Sequence, residues 1–285
     1  MISEYMIQLY VKNDYHNYKF TACIIILLAL AGCGSKAQIH QICQPLHIQK
    51  LARLENTYGV KFSYNDFAKP SWDSLKSDDL TETDLSRLKE YITLFSSEFS
   101  KYPPAFVVKT GLKQICFCKN LEVGRQYRAA IPDYYTETLY YDIYRGHTQN
   151  GYHADVIHHE YYHMIEQQLN GDAYYKDPAW ARLNAPDFKY GNGGAAAQSV
   201  TDVGVYNHPI QGFASLYAAT GLEEDKAVIF ACLMVAKNHK KIMQWSQKDT
   251  ILATKIKYMK DFLNQICSAI NDDFWSELSD KNFGG

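Results

Sequence analysis

The sequence predicts an α+β fold: a mixed N-terminal part with a small sheet, one long helix after residue 150, and a helical C-terminal part. Three observations carry that expectation. Short runs rich in Val, Ile, Phe and Tyr crowd between residues 105 and 143. From Asp155 onward the apolar residues Val156, Ile157, Met164, Ile165 and Leu169 recur at helical spacing as far as Asn170-Gly171. After a Gly- and Pro-containing stretch over 171–210, helical periodicity resumes and persists.

Taken in order, residues 47–57 read as a helix and 60–64 as a strand, with a loop over 69–79. Residues 81–100 place Leu85, Leu88, Tyr91, Ile92 and Phe95 on one helical face, and Tyr102-Pro103-Pro104 ends that helix because proline lacks an amide donor. Residues 105–109, 114–118, 127–131 and 138–143 read as strands. The polar and aromatic mix of 138–143 suits an edge strand, able to pair with an extended peptide. Residues 171–210 read as a long irregular loop, the kind that walls a cleft. Helices follow over 223–237 and 251–270.

The chain has 285 residues, is 47% apolar and carries a net charge of −2, so it can bury a core and has no basic stripe for nucleic acid. The expected organisation is a signal peptide over 1–32, a tether over 33–45 and one domain over 46–285. That domain divides near residue 150 into an N-terminal part and a helical part. The 23 tyrosines suit carbohydrate or peptide contact and ordinary half-buried packing equally, so the count selects no function.

His159-Glu160-Tyr161-Tyr162-His163 is the most informative run. Residues four apart share one face of a helix, so His159 and His163 can offer two imidazoles to a single ion, while Glu160 points to the flank beside it. Two neutral nitrogens, an open position and a flanking carboxylate base for a bound water are what Zn²⁺ hydrolysis needs. His158 is a neighbour that could also face inward, but only 159 and 163 have the four-residue spacing around a suitably placed glutamate.

A third protein ligand is required. Leu169 stands six residues after His163, where a metzincin has its third histidine, so that pattern fails. Glutamates near 223 are the alternative. Thr220 and Glu223 have capping-box spacing, which assigns Glu223 to the helix start. Glu224 then shares a face with Ala227, Val228, Ala231 and Val235, small residues that allow close approach to the His159 helix. A carboxylate on such a stripe needs a positive charge to receive it. The acids also suit a helix N-terminus through the dipole alone. Asp225 is placed to hydrogen-bond a ligand histidine from outside the ligand set.

The run 158–163, followed 61 positions after His163 by Glu224-Asp225-Lys226-Ala227-Val228-Ile229-Phe230-Ala231, resembles the zinc-binding metallopeptidases found among bacterial lipoproteins. Residues 212–220 resemble that group's lead-in to the ligand helix, and the likeness covers roughly 135–240. The resemblance implies a zincin-like, gluzincin type of fold with His159, His163 and Glu224 as zinc ligands, Glu160 as general base, and a peptide or protein substrate. A Tyr or His donor to the oxyanion is expected in such enzymes, with Tyr217, Tyr206 and His208 in the right part of the chain. A non-catalytic binding lipoprotein of the same fold, or an amidase acting on cell-wall peptides, would share these residues.

Residues 20–31, preceded by Lys12 and Lys19, form an apolar run too short to span a membrane comfortably, and read as a secretory signal with Met1 or Met6 as its start. Leu30-Ala31-Gly32-Cys33 resembles a bacterial lipobox, which implies lipidation of Cys33 and membrane anchoring at the cell envelope. Gly34 in place of aspartate points to the outer membrane. Cys43, Cys116, Cys118, Cys232 and Cys267 then remain, an odd number that allows at most two disulfides. Cys116 and Cys118 share a strand face, which is poor geometry for pairing with each other, and these thiols read as structural.

Overall fold

A computed structural model describes residues 45–65, 71, 74–149, 151–197 and 202–283. The expected signal peptide, lipobox cysteine and tether lie outside them, apart from Pro45. The described residues contain ten α-helices and six strands. Helix α1 (Leu46–Tyr58) ends at Gly59, whose φ of 69° is natural only for a residue without a side chain. Strand β1 (Lys61–Ser63) and strand β2 (Leu75–Asp78) follow, so the expected loop over 69–79 contains a strand. Helix α2 (Leu85–Phe99), introduced by a short 3-10 turn at Glu82–Asp84, buries Leu88, Tyr91, Ile92 and Phe95 of the face that the periodicity marks, together with Phe99, while Leu85 at its first turn is exposed.

Residues 105–109 form a helix and not a strand. Pro103 is extended and Pro104 opens α3 (Pro104–Lys109), where a missing amide costs no hydrogen bond. Phe106 and Val107 turn inward while Val108 is exposed, so local proline geometry and burial override the β-propensity of Phe-Val-Val.

Strand β3 (Gln114–Val123) organises the sheet. Its first half pairs in parallel with β1 and with β6 (Thr138–Asp142). Its second half pairs antiparallel with β2 and with β4 (Gln126–Tyr127). The change of partner occurs around Asn120, which has φ 53° and donates its amide to Asp78 Oδ2 at 2.7 Å. Asn tolerates this left-handed conformation better than most residues. β5 (Ala130–Asp133) pairs antiparallel with β6, giving the order β1-β3-β6-β5. The edge strand beside the long helix is therefore β5. The expected edge strand over 138–143 is central, with all five residues of β6 buried.

Alternation along β3 divides the core. Ile115 and Phe117 face the main cluster with Tyr91, Phe95, Phe99, Tyr141 and Tyr161, whereas Cys116 and Cys118 face a small cluster with Leu75, Leu121 and Tyr140. Cys116, Cys118, Cys232 and Cys267 are free and buried.

Helix α4 (Tyr152–Asn170) stops where the sequence indicates, at left-handed Gly171, whose amide donates to Gln167 O. Two short helices, α5 (Pro178–Ala181) and α6 (Gly194–Ala197), lie within the described part of the expected 171–210 loop. Helix α7 (Leu222–Met234) packs against α4 and is buried round nearly its whole circumference. The expected helix over 223–237 breaks at extended Val235, and α8 (Ala236–Ser246) starts there. α9 (Thr250–Ile266) and α10 (Asp272–Phe283) complete the helical part. Among the described residues, no helix is long and apolar enough to cross a membrane.

Candidate metal centre

Helices α4 and α7 bring three side chains to one point. His159 and His163 lie one turn apart on α4, with Nε2 atoms 3.1 Å from each other and ring centroids 4.8 Å apart. Glu224, in the first turn of α7, sets Oε2 3.0 Å from His159 Nε2 and 3.4 Å from His163 Nε2. The small residues Ala227 and Ala231, both fully buried, allow this approach. Among the described residues, this is the one group of three or more His, Cys, Asp or Glu side chains placed to hold a metal ion.

The donor set fits zinc. Ligand atoms about 2.0–2.1 Å from a tetrahedral Zn²⁺ are spaced roughly 3.3 Å from one another. The three separations of 3.0, 3.1 and 3.4 Å match such edges, and two nitrogens with one carboxylate oxygen leave a fourth position open. The electrostatics suit a cation as well. Burial favours neutral Glu224, but hydrogen bonds from His159 and His163 outweigh it and hold the carboxyl well below its ordinary range. Burial likewise opposes protonation of His163, yet Glu224, by hydrogen bond and charge, raises it to about 9, with Glu160 assisting.

Glu160 is half-buried beside this group. Burial pushes its carboxyl above the usual value against the attraction of His159 and His163. The Glu224 charge adds to the rise, and Arg128 opposes it. The Glu160 charge also raises Tyr134, Tyr152, Tyr174 and Tyr217, in each case after burial, so a set of phenols lies near it.

Several expected roles change. His158 faces away from the centre. Its Nε2–H donates to Glu98 Oε2 at 2.8 Å, which leaves Nδ1 to accept from Tyr102. Asp225 touches neither His159 nor His163. Its Oδ2 accepts from Trp180 Nε1 at 2.8 Å, Tyr190 Oη at 2.7 Å and Lys255 Nζ at 2.7 Å. One residue along α7 from Glu224 is a turn of about 100°, enough to aim Asp225 at the 178–190 segment instead. Nor do Thr220 and Glu223 form a capping box. Gly221 is the N-cap without a side-chain bond, and the Thr220 hydroxyl donates to Tyr217 O at 2.7 Å.

Tyr217 does reach the centre, but its hydroxyl donates to Glu224 Oε1 at 3.0 Å, so its one proton is committed to a carboxylate and not to an oxyanion. His208 lies elsewhere, donating to Asp249 Oδ2 at 2.8 Å and stacked on Trp245. Tyr206 is half-buried, with Asp155 and Cys232 as its electrostatic neighbours.

Sequence reasoning missed Gly194. A Cβ there would sit 2.1 Å from Glu224 Oε1 and 2.2 Å from the Tyr217 hydroxyl, so only glycine fits. Three glycines within 191–194 were the available signal. Arg128 and Tyr134, which flank the edge strand β5, are electrostatic neighbours of Glu160 that an edge at 138–143 does not indicate.

No protein-family model matches this chain, and neither does any curated protein. One solved structure does: the crystal structure of a "putative zinc-binding metallo-peptidase" from Bacteroides caccae ATCC 43185. It is 15% identical, with a TM-score of 0.50, over 88% of this chain and 94% of that one. At that identity the likeness is one of fold: this chain shares the mixed α/β architecture of that protein.

Proposed function

We propose that this chain is a zinc-dependent peptidase, anchored to a bacterial cell envelope through lipid on Cys33. The observation that carries the reading is the convergence of His159 Nε2, His163 Nε2 and Glu224 Oε2 at tetrahedral spacing, with Glu160 beside them. A purely structural site has no use for that base. The fold likeness to a protein named for zinc binding and peptidase activity supports the reading, as does the lipobox-like run at 30–33.

In this reading His159, His163 and Glu224 hold the ion. Zinc, when bound, supplies a Lewis acid that polarises the scissile carbonyl and makes water acidic enough to react near pH 7. Glu160 takes the proton from the attacking water and passes it to the leaving amine. Its raised carboxyl suits both halves of that task, since it must accept and then release a proton at similar pH. The edge strand β5 offers its free side to an extended substrate backbone, with Pro132 limiting the ladder to the remaining amides. Arg128 lies at the entrance of that strand, and Tyr134 follows it.

The test is zinc content by elemental mass spectrometry, followed by peptide cleavage, on the detergent-purified protein and its Glu224→Ala and Glu160→Gln variants. One zinc per chain is expected in the parent, a marked loss in Glu224→Ala, and retained zinc without turnover in Glu160→Gln. A parent that takes up no zinc, even after reconstitution, refutes the reading.

A further inference from the structure

We propose that Tyr217 is a positioning residue that forces Glu224 to present a single oxygen to the metal, and that Gly194 is the latch that keeps the phenol there. This rests on the zinc reading of the centre. The two oxygens of Glu224 have different partners: Oε2 faces His159 and His163, while Oε1 accepts from the Tyr217 hydroxyl at 3.0 Å. An oxygen already holding a proton donor is a poor second ligand, so the carboxylate binds through one oxygen and a coordination position stays open for water and substrate.

The backbone that carries the phenol is fixed at both its amide and its carbonyl. The Tyr217 amide donates to Val203 O at 2.8 Å, and Thr220 Oγ1 donates to Tyr217 O at 2.7 Å. The glycine segment runs alongside this turn, with Gly191 N donating to Ala219 O at 3.1 Å and Gly193 N to Thr220 O at 2.7 Å. Those bonds press the Gly194 Cα against the meeting point of Tyr217 and Glu224. A methyl there would fall 2.1 Å from Oε1, 2.2 Å from the hydroxyl and 2.8 Å from Tyr217 Cζ. One substitution at 194 therefore strikes both partners of the hydrogen bond at once. The 191–194 segment, far from the histidines in sequence, becomes part of the metal centre through contact with Glu224.

Cobalt(II) in place of zinc reads the coordination number directly, because four-coordinate cobalt absorbs visible light more strongly than five-coordinate cobalt. The protein, Tyr217→Phe, Gly194→Ala and the double variant are loaded with cobalt for spectra. Zinc affinity is measured in parallel by competition with a chromophoric chelator. Tyr217→Phe keeps the ring and removes only the donor. It should weaken the visible bands as Oε1 joins the metal, and should lower zinc affinity about 10- to 100-fold, the usual cost of losing a partner that orients a ligand. Gly194→Ala should change the spectrum in the same direction, and the double variant should lose less than the product of the two single losses.

An unchanged cobalt spectrum in Tyr217→Phe overturns the proposal whatever happens to affinity, since general loosening would weaken binding without altering coordination. If Gly194→Ala does not fold, Tyr217→Phe decides alone. A parent protein that binds neither metal overturns the zinc reading itself, a result distinct from a loaded centre that ignores Tyr217.

Discussion

Replacing Asp225 by Asn separates stability from metal binding. Asp225 Oδ2 collects three donors in a fully buried setting: the Trp180 indole, the Tyr190 hydroxyl and the Lys255 ammonium, itself fully buried. Burial pushes the Asp225 carboxyl up and the Lys255 ammonium down, and their mutual attraction opposes both shifts. Hydrogen bonds to a charged group contribute about 1.5–3 kcal/mol each, and a buried ion left without its partner costs about 3–5 kcal/mol. Asparagine keeps one acceptor, so part of the Trp180 and Tyr190 bonding survives and the loss is dominated by the stranded Lys255. The expected cost is therefore about 3–5 kcal/mol in urea unfolding followed by tryptophan fluorescence.

Adding Lys255→Met should recover part of that loss, because no unpaired charge then remains buried. A coupling of about 1–3 kcal/mol is expected in the double-mutant cycle. Zinc affinity, measured well below the melting temperature, should change less than about threefold, since Asp225 contacts neither His159 nor His163. The opposite outcome, stability within about 1 kcal/mol of the parent and a tenfold or greater loss of zinc affinity, would mean that Asp225 orients a ligand and that the network described here is wrong.

Other perturbations give equally direct checks. Burial raises Asp155 to about 7 despite the Asn238 hydrogen bond; Glu98 adds to the rise, and Lys237 and Lys241 oppose it. Because the folded value lies above the unfolded one, the native state binds the extra proton. Stability is thus full below about pH 4 and falls as pH rises through about 7. An Asp155→Asn variant should melt at nearly the parent temperature near pH 4 and several degrees above it at pH 8, an effect of about 2–4 kcal/mol by thermal scanning. Burial pushes the Cys116 thiol up to about 11 and holds Cys118 well above the ordinary thiol range, so iodoacetamide should label neither until the protein is unfolded in guanidinium. A Cβ at Gly146 would fall 2.2 Å from Tyr152 Cδ1, and Gly146 has φ 80°. Gly146→Ala should therefore lower stability by about 1–3 kcal/mol in urea titration.

Local rules were enough for the features that depend on neighbours in sequence. The long helix, its stop at Gly171 and the inward face of α2 follow from periodicity and from glycine's freedom at positive φ. The pairing of His159 with His163 needs only the pitch of a helix. The capping-box spacing that separates Glu224 from Glu223 has no counterpart in the fold, where Gly221 is the N-cap. The stripe of small residues led to the same glutamate, and that stripe does allow α7 to approach α4.

What failed depended on distant partners. Residues 138–143 look like an edge strand by composition, yet pairing with both β3 and β5 puts β6 in the middle of the sheet. Residues 105–109 have strand propensity, yet Pro104 and the burial of Phe106 and Val107 make them helical. Asp225 is one residue from Glu224, and nothing nearby in sequence indicates Trp180, Tyr190 or Lys255 as its partners. Gly194 and Tyr217 meet Glu224 only because the 191–194 segment folds back along residues 219–220. The sequence alone determined that His159 and His163 share a helix face beside Glu160, because helical spacing is a local property. Only the tertiary structure decided which distant side chains meet Glu224 and Asp225, because such contacts are set by how distant elements pack.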